Sequence, residues 1–214
     1  MVQALARWTD RGAARRHIRN LRLESILQSA ARCFNRKGYH ASKMGDIARD
    51  LGVSKAALYY YVKSKEEIIF QCHSAALDVA MEGVQMAEGL ADPADVKLYA
   101  ALRHFIEGMT DRLKGCVVLT EGMLSPKLYS DLVRRRDEYE RRLRRIVEEG
   151  VATQIFAPCD PKMVVLAMLG AMNWIPRWYS PDGERTPKEI GETFARYLVG
   201  GLSQGGFHER GSAV

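Results

Sequence analysis

Apolar positions between Ser42 and Lys65 follow the period of two short amphipathic helices. In the first, apolar residues recur at spacings of three and four: Met44, Ile47, Ala48 and Leu51. Gly52 follows at a position where helix C-termini favour a residue that tolerates positive φ. Ser54 is a good N-cap, because its hydroxyl can accept a hydrogen bond from a free backbone N–H in the next turn. We therefore predict a helix, a turn and a second helix over residues 55–62.

The rest of the chain keeps the helical period with few interruptions. Further helices are predicted from 65 to about 90, from about 94 to 113, from 126 to about 155, from 161 to 179 and from 187 to 202. Ser64 and Glu67 have the spacing of a capping box at the start of the first of these helices. Pro176 is predicted to interrupt the fourth helix and to free backbone carbonyls. The pattern predicts an all-α fold, in which an N-terminal three-helix helix-turn-helix domain precedes a larger helical bundle.

The helix predicted over 161–179 is apolar nearly all round. Its apolar residues are Met163, Val164, Val165, Leu166, Ala167, Met168, Leu169, Ala171, Met172, Trp174 and Ile175. A helix without a polar face must be covered on more than one side. The chain has few other helices to cover it, so we expect a homodimer that buries this helix. The helix over 187–202 offers apolar partners: Ile190, Phe194, Tyr197, Leu198 and Leu202.

Positive charge is concentrated around the predicted helix-turn-helix. Residues 1–65 contain 14 Lys and Arg against 4 Asp and Glu, whereas the remaining 149 residues contain 18 against 22. Such a concentration is expected of a protein that displaces counterions from DNA. The alternative is an ordinary small helical hairpin whose tyrosines fill a core, with the basic residues on a solvated face. A second basic run, residues 134–145, is mixed with acidic residues and indicates a solvated face in preference to a second DNA site.

Length and composition fit a small domain followed by a larger one. We predict a basic flexible arm over 1–19, a helix-turn-helix DNA-binding domain over 20–64, a helical ligand-binding and dimerisation domain over 65–203, and a flexible tail over 204–214. The arginines of the arm either add DNA contacts or merely solubilise the chain. No apolar run predicts a membrane span or a signal peptide, so we expect a cytoplasmic protein with no membrane partner. The four cysteines are widely spaced and no ligand spacing occurs, which predicts reduced thiols and no metal site.

The second helix of the pair exposes side chains suited to DNA. Lys55, Tyr59 and Tyr60 supply partners for phosphates and base edges, and the small Ala56 permits close approach to a groove wall. The next helix begins at Lys65, where backbone amides and the lysine ammonium together form a natural phosphate clamp. These positions make double-stranded DNA the predicted partner of this region.

Residues from about 21 to 70 resemble the N-terminal domain of TetR-family transcriptional regulators. The matching residues are Ala30, Phe34, Gly38, Tyr39, Ser42, Ile47, Ala48, Gly52, Val53, Ser54, Leu58, Tyr59, Tyr60, Tyr61, Lys65 and Glu66. The resemblance implies phosphate contacts by Ser42, Lys43, Tyr59, Tyr60, Tyr61 and Lys65. It places Lys55 and Ala56 closest to base edges, and Ser54 at the N-terminus of the same helix completes the predicted DNA-binding set. It also implies a four-helix dimer interface made by the last two helices and their twofold mates.

The C-terminal segment 170–187 resembles that of TetR-like regulators which respond to acyl-CoA thioesters from lipid, steroid or aromatic-acid catabolism. Candidate effector contacts are Met123, Met168, Met172, Asn173, Trp174, Arg177 and Trp178. The methionines can line an adaptable apolar cavity, although such residues also fill cores. Arg177 can hold a phosphate or a carboxylate. The alternative is that the tryptophans pack in the dimer interface and that Arg177 pairs with an acid such as Asp182.

Together these features predict a repressor that binds a pseudopalindromic operator as a dimer and is released by a hydrophobic effector. An acyl-CoA thioester is the favoured effector, and no cofactor is expected. A TetR-like sensor of drugs that controls efflux is the alternative; the acids available to it are Glu107, Asp111 and Glu121. The sequence contains no GxSxG, HExxH, Walker A or dinucleotide motif, which argues against an enzyme. A non-specific basic chromatin protein is the remaining class, distinguishable by competition with bulk DNA.

Overall fold

A computed structural model describes residues 22–34, 36–113 and 121–203 of the chain. The helices are α1 (residues 22–34, continuing at 36–37), α2 (Met44–Asp50), α3 (Lys55–Tyr61), α4 (Lys65–Glu88), α5 (Ala94–Asp111), α6 (Pro126–Ala152), α7 (Pro161–Trp178) and α8 (Pro187–Gly200), with a 3-10 turn at Glu121–Met123. The all-α prediction is confirmed, and the helices begin and end close to their predicted residues. The predicted arm (1–19) and tail (204–214) lie outside the described residues.

The described residues divide into two compact units. Residues 22–72 and 121–125 form the first unit, and residues 73–113 and 126–203 form the second. The division falls inside α4, whereas the sequence placed the domain boundary just before it. The first turns of α4 and the residues before α6 therefore belong with the DNA-binding helices.

The first unit is a small helical core built around α1. Its buried apolar side chains include Ile26, Leu27, Phe34, Ile47, Leu58, Val62, Ile68 and Ile69. Each large side chain removed from water contributes about 1.5–3 kcal/mol to folding. Asp50 at the end of α2 ties this helix to α1, because its carboxylate accepts hydrogen bonds from the Ser29 hydroxyl (2.7 Å) and from Arg32 (3.1 Å).

The predicted turn and cap of the helix-turn-helix are confirmed. Gly52 has φ of +65°, which an L side chain rarely adopts. Ser54 caps α3, and its hydroxyl accepts the N–H of Ala57 at 3.1 Å. At α4 the capping box is only half formed: the Ser64 hydroxyl accepts the N–H of Glu67 at 3.0 Å, as predicted. In a complete capping box the Glu67 carboxylate would accept the backbone N–H of Ser64. Here it accepts the backbone N–H of the preceding residue, Lys63.

In the second unit α5 packs against α8 and α6, and α6 packs against α7. Glycines permit close approach: a Cβ on Gly108 would lie 2.4 Å from Val79, and one on Gly191 would lie 2.8 Å from the Glu107 side chain. The basic run of α6 is extensively paired. Arg141 and Arg144 pair with acids on α6 itself, as predicted for a solvated face. Other arginines of the run pair across to α4: Arg135 with Asp78, and Arg142 with Glu88.

Pro176 lies inside α7 and does not interrupt it, which corrects the predicted break. The helix continues to Trp178, and the N–H of Tyr179 donates to the carbonyl of Ile175 at 2.9 Å. A proline so close to the C-terminus of a helix removes one intrahelical hydrogen bond without stopping the last turn.

None of the helices in the described ranges is long and apolar enough to cross a membrane. Cys33, Cys72 and Cys159 form no disulfide within the described residues. Cys116 lies outside the described residues. The residues that the structure describes contain no cluster of three or more His, Cys, Asp or Glu side chains able to hold a metal ion.

Candidate DNA-binding interface

A cationic cleft lies where the N-terminus of α2 faces α3 and the start of α4. Its volume is about 350 Å³, and its lining residues are His40, Ser42, Lys43, Met44, Gly45, Lys55, Tyr59 and Lys65. Three lysines converge on this cleft, so it suits an anion such as a phosphate. It brings together five residues of the predicted DNA-binding set: Ser42, Lys43, Lys55, Tyr59 and Lys65.

Helix α3 leaves most of its surface open to solvent. Leu58 is its buried residue, packed into the core of the first unit. Lys55 and Ala56 are exposed near the N-terminus, and Tyr60 is 70% exposed one turn later. A helix held by one buried leucine and capped by Ser54 can present its outer side chains to a groove. The exposed side chains Ser54, Ala56 and Tyr60 thus stay predicted DNA contacts on the surface beside the cationic cleft.

Lys65 braces the turn between α1 and α2. Its ammonium group donates to the carbonyls of Tyr39 (2.7 Å) and Ser42 (2.9 Å). It also lies 4.3 Å from the centre of the Tyr39 ring, within cation–π range. Burial raises the pKa of the Tyr39 hydroxyl, and the carboxylate of Glu66 raises it further. Lys65 therefore positions the turn that carries Lys43, in addition to lining the cationic cleft.

The side chain of Ser42 is not available to a phosphate, which corrects the predicted contact. Only 1% of Ser42 is exposed. Its hydroxyl lies within donating distance of the carbonyls of Gly38 (2.7 Å) and Cys33 (3.2 Å), and its backbone N–H donates to Gly38. A buried hydroxyl must satisfy its hydrogen bond within the protein, so Ser42 closes the turn after α1 instead of reaching solvent.

Tyr61 faces away from the cationic cleft. Its hydroxyl accepts a hydrogen bond from Arg22 of α1 at 3.0 Å. The ring lines a separate apolar groove of about 660 Å³ together with residues of α1 and of the α2–α3 turn, among them Ile26, Leu51 and Leu58. Tyr61 therefore does not line the cationic cleft, and the phosphate contact predicted for it would have to lie elsewhere on the surface.

Gly45 is a feature of the interface that sequence reasoning missed. A Cβ at this position would lie 2.8 Å from Cε of Lys55. The lysine stem lies against the first turn of α2, where a side chain on residue 45 would displace it. A glycine inside a helix lowers helix stability by about 1 kcal/mol relative to alanine. Its presence in α2 was therefore a signal that another group approaches the helix closely at this position. His40 and Met44 also line the cleft without having been predicted.

The carboxylate of Asp46 holds the first turn of α2 beside the lysines. It accepts the backbone N–H of Lys43 at 3.2 Å, and this hydrogen bond is the main cause of its lowered pKa. Lys37 and Arg49 lie close enough to lower the pKa further. An acid in the first turn also suits the positive end of the helix dipole.

The predicted effector residues do not form one group. Met168 and Met172 are buried on the inner side of α7, together with Val165 and Ile175. The other residues of α7 in the set are exposed: Asn173, Trp174, Arg177 and Trp178. Met123 is exposed in the 3-10 turn and belongs to the first unit.

The exposed residues near the end of α7 contact one another and α8. Arg177 lies 5.8 Å from the centre of the Trp174 ring, and this contact replaces the pairing with Asp182 that was considered from the sequence. Trp178 stacks on Phe194 of α8, with ring centres 5.9 Å apart. One turn of α7 thus carries a cation and two aromatic rings at the surface of the second unit.

A buried hydroxyl in the second unit was not predicted. Tyr139 of α6 is 3% exposed and packs against Phe105 of α5, with ring centres 6.1 Å apart. Its hydroxyl has no hydrogen-bond partner within the described residues. Burial raises the pKa of Tyr139 well above its ordinary value, so the phenol is neutral.

Comparison with known proteins agrees with this geometry. Residues 26–72 match the family described as "Bacterial regulatory proteins, tetR family", and residues 91–202 match "Tetracyclin repressor-like, C-terminal domain". The chain is 27% identical over 187 residues to the HTH-type transcriptional repressor KstR2 of Mycolicibacterium smegmatis, covering 86% of this chain and 91% of that one.

Two solved structures share this fold, and their sequences are more than 25% identical to this chain. The TetR-family regulator PfmR from Thermus thermophilus is 30% identical, with a TM-score of 0.72 over 84% of this chain and 99% of its own. AibR in complex with isovaleryl coenzyme A and operator DNA is 26% identical, with a TM-score of 0.67 over 83% of this chain and 98% of its own. The family matches span both the cationic cleft and the helical bundle. The chain therefore belongs to the TetR family and is a transcriptional regulator, not an enzyme.

Proposed function

We propose that the protein is a ligand-responsive repressor that binds a pseudopalindromic operator as a homodimer. The observation that carries this proposal is the cationic cleft beside the exposed surface of α3. Lys43, Lys55 and Lys65 line one concave site, and Tyr60 of α3 is exposed to solvent. Lysine side chains in such a cleft can bind phosphates of the DNA backbone while the exposed short helix beside them enters the major groove.

The outer face of α7 supports the homodimer. We define this face by Met163, Leu166, Gly170 and Trp174, which recur at helical spacing. Leu166 is 45% exposed and Trp174 is 62% exposed, and nothing lies within 4 Å of a Cβ built on Gly170. Exposed apolar side chains around a glycine let two helices approach closely, and a stable interface buries about 1,200–2,000 Å² in total. A second copy of this chain is the partner that also gives operator binding its twofold symmetry.

A hydrophobic effector, most simply an acyl-CoA thioester, is the proposed ligand of the second unit. The buried hydroxyl of Tyr139 has no hydrogen-bond partner within the described residues, and it could donate to the carbonyl oxygen of a thioester. Met168 and Met172 lie in the same unit and are flexible enough to adapt to an acyl chain. Arg177 and Trp174 at the surface are proposed contacts for the CoA phosphates and ring. AibR, a similar protein, has been solved with isovaleryl coenzyme A and operator DNA together.

The effector acts by favouring a state in which the two DNA-binding domains no longer match the operator. A hundredfold drop in operator affinity requires the effector to prefer that state by roughly 2.7 kcal/mol. Such a preference is ordinary for a ligand that buries an acyl chain. The same coupling makes operator DNA weaken effector binding by the same factor.

A drug-sensing repressor that controls efflux is the alternative. Cationic drugs would need a free acid in the pocket, and Glu107 is one of the acids available in the second unit. Its carboxylate already pairs with Arg103 at 3.4 Å. The pairing favours a neutral or anionic effector over a cationic one.

Native mass spectrometry of the purified full chain tests the proposal. We expect a dimer, and a copurified mass or an added acyl-CoA, such as isovaleryl-CoA, bound once per protomer. Titration of acyl-CoA thioesters of increasing chain length should then release a selected operator duplex, whereas free CoA and a cationic dye should not. Release by the dye alone would establish the alternative, and release by neither would reject a ligand-responsive repressor of this kind.

A further inference from the structure

The apolar groove against α3 differs in chemistry from the cationic cleft. Its volume is about 660 Å³, and its apolar lining residues are Ile26, Leu51, Val53, Ala57 and Leu58. Ile26 and Leu58 are buried, whereas Val53 is 42% exposed. Pockets that bind small molecules typically have volumes of about 300–1,000 Å³. The groove is therefore large enough for the apolar body of a small ligand.

The apolar groove and the cationic cleft lie along opposite sides of α3. Lys55 and Tyr59 line the cleft, whereas Ala57 and Tyr61 line the groove. The two members of each pair are four residues apart, so each pair forms a stripe along the helix. Successive residues of an α-helix are about 100° apart, which makes the two stripes nearly opposite. A ligand in the groove can therefore contact α3 and leave the cleft open.

The groove also carries a fixed cation. Nη1 of Arg22 donates to the hydroxyl of Tyr61 at 3.0 Å, and this hydrogen bond raises the pKa of the Arg22 guanidinium. A guanidinium has five N–H donors, so it can hold a further acceptor, and the Tyr61 oxygen carries its own O–H as another donor. Among the described residues that line the groove none is acidic. These donors beside an apolar surface suit a carboxylate attached to an apolar body.

We propose that the apolar groove is a second small-molecule site, which binds an amphipathic carboxylate. Arg22 and Tyr61 hold the acid group, and Ile26, Val53 and Ala57 contact the apolar body. The proposal goes beyond the proposed function, because the site belongs to the first unit and needs neither a dimer nor an operator. A cationic ligand would meet the like charge of Arg22. A protein partner would bury about 800 Å² on each side, whereas Val53 is the one large apolar side chain that the described groove residues expose.

Methyl NMR of the full-length chain tests the site, with isoleucine, leucine and valine labelled and with no DNA or acyl-CoA present. Decanoate should shift the signals of Ile26, Val53 and Leu58 saturably, with a dissociation constant of about 10–100 µM. Signals of Val165 and Ile175 report on the second unit instead. Octanoate should bind about tenfold more weakly, because it buries two methylenes fewer. Decyltrimethylammonium should leave the groove signals in place.

Substitutions in the groove separate its two parts. Ala57→Phe places a ring in the groove from an exposed helical position, and should weaken decanoate binding at least about thirtyfold. Arg22→Gln should weaken it about five- to tenfold, and Arg22→Lys only about threefold, because lysine keeps the charge but not the forked donors. Arg134→Gln removes an exposed arginine from α6 and should change nothing. Methyl signals outside the groove check that each variant is folded.

Three results would overturn the proposal. The first is that decanoate shifts second-unit signals alone. The second is that Arg22→Gln binds decanoate as the parent does, or that decan-1-ol binds as tightly as decanoate. The third is that the groove binds decanoate only after residues 1–18 are deleted, which would make the chain's own N-terminal segment the occupant. None of these measurements uses an operator or an acyl-CoA, so their failure is distinct from a failure of the proposed repressor function.

Discussion

Helices α3 and α7 both leave one face uncovered, but the two faces differ in chemistry. The face of α3 carries Lys55 and Tyr59, which line the cationic cleft, whereas the outer face of α7 carries Leu166 and Trp174. Lysine and tyrosine at a concave site are suited to a hydrated polyanion, and leucine and tryptophan around a glycine are suited to an apolar surface. Exposure alone therefore shows that a face is open to a partner, and the chemistry of its side chains indicates which partner it binds.

The largest expected effect is at the outer face of α7. Leu166→Glu should raise the dissociation constant of the dimer at least about a hundredfold, because a carboxylate would be buried in an apolar interface. Leu166 is exposed in the protomer, so the variant should fold. Sedimentation equilibrium over a range of concentrations measures the shift. Val96→Glu on α5 is the matched control, since Val96 is 43% exposed but lies outside the outer face of α7. A Leu166→Glu variant that stays dimeric would contradict the assigned interface.

The next effect is at the surface of α3. Lys55→Ala should weaken binding to a selected operator about tenfold and reduce the slope of log affinity against log salt by about one. Fluorescence anisotropy at several salt concentrations measures both quantities. Lys188→Ala removes an exposed lysine from α8 and should change neither. Equal losses in both variants would mean that net charge, and not the cationic cleft, governs binding.

Gly45→Ala sharpens the comparison by separating stability from DNA affinity. The new Cβ must push aside Cε of Lys55, a flexible group, so the fold should tolerate the change. Alanine also favours helix over glycine by up to about 1 kcal/mol, so stability should be unchanged or higher. Operator affinity should fall about threefold as Lys55 is displaced. Urea unfolding and anisotropy on the same preparation check this; a parallel fall in both quantities would show that Gly45 serves only the fold.

The smallest effect is expected from the ionisation of Asp50, which joins α2 to α1. Hydrogen bonds from Ser29 and Arg32 hold the pKa of Asp50 below its ordinary value of 3.8. A lowered carboxyl pKa adds stability that is present above pH 3.8 and is lost as pH falls through the lowered value. Asp50→Asn should therefore cost about 0.5–1 kcal/mol at pH 7, a figure discounted because the carboxylate is 39% exposed, and less at pH 3. Urea unfolding at both pH values measures the difference, and an equal loss at both would contradict the ionic contribution.

Local signals predicted the helices well. Three- and four-residue spacing, Gly52 with positive φ, and the Ser54 cap are properties of a few adjacent residues, and each stands where it was expected. Pro176 was misjudged because its effect depends on how near the helix end it lies. Glu67 was misjudged because its carboxylate can reach either of two nearby N–H groups, and a spacing rule does not choose between them.

Roles within the site were harder to predict, because they depend on residues far apart in the chain. Ser42 is buried by its contacts with Cys33 and Gly38, and the spacing of the motif gives no sign of this. Lys65 was predicted as a phosphate clamp, but its bracing of the turn depends on Tyr39. The split of the effector set was readable in principle: Met168 and Met172 share one face of a helix, and residues 173, 174 and 177 share another.

The central claim is that the cationic cleft and α3 bind specific DNA as one half of a twofold pair. Selection of duplexes from a random library by the full-length chain, followed by native mass spectrometry of the selected complex, tests it most directly. We predict an enriched inverted repeat whose half-sites are about 10 bp apart or a multiple of this, bound by an even number of protomers. We also predict that a Lys43→Ala, Lys55→Ala double variant no longer enriches it. Absence of an enriched sequence, or equal enrichment by the double variant, would contradict the account.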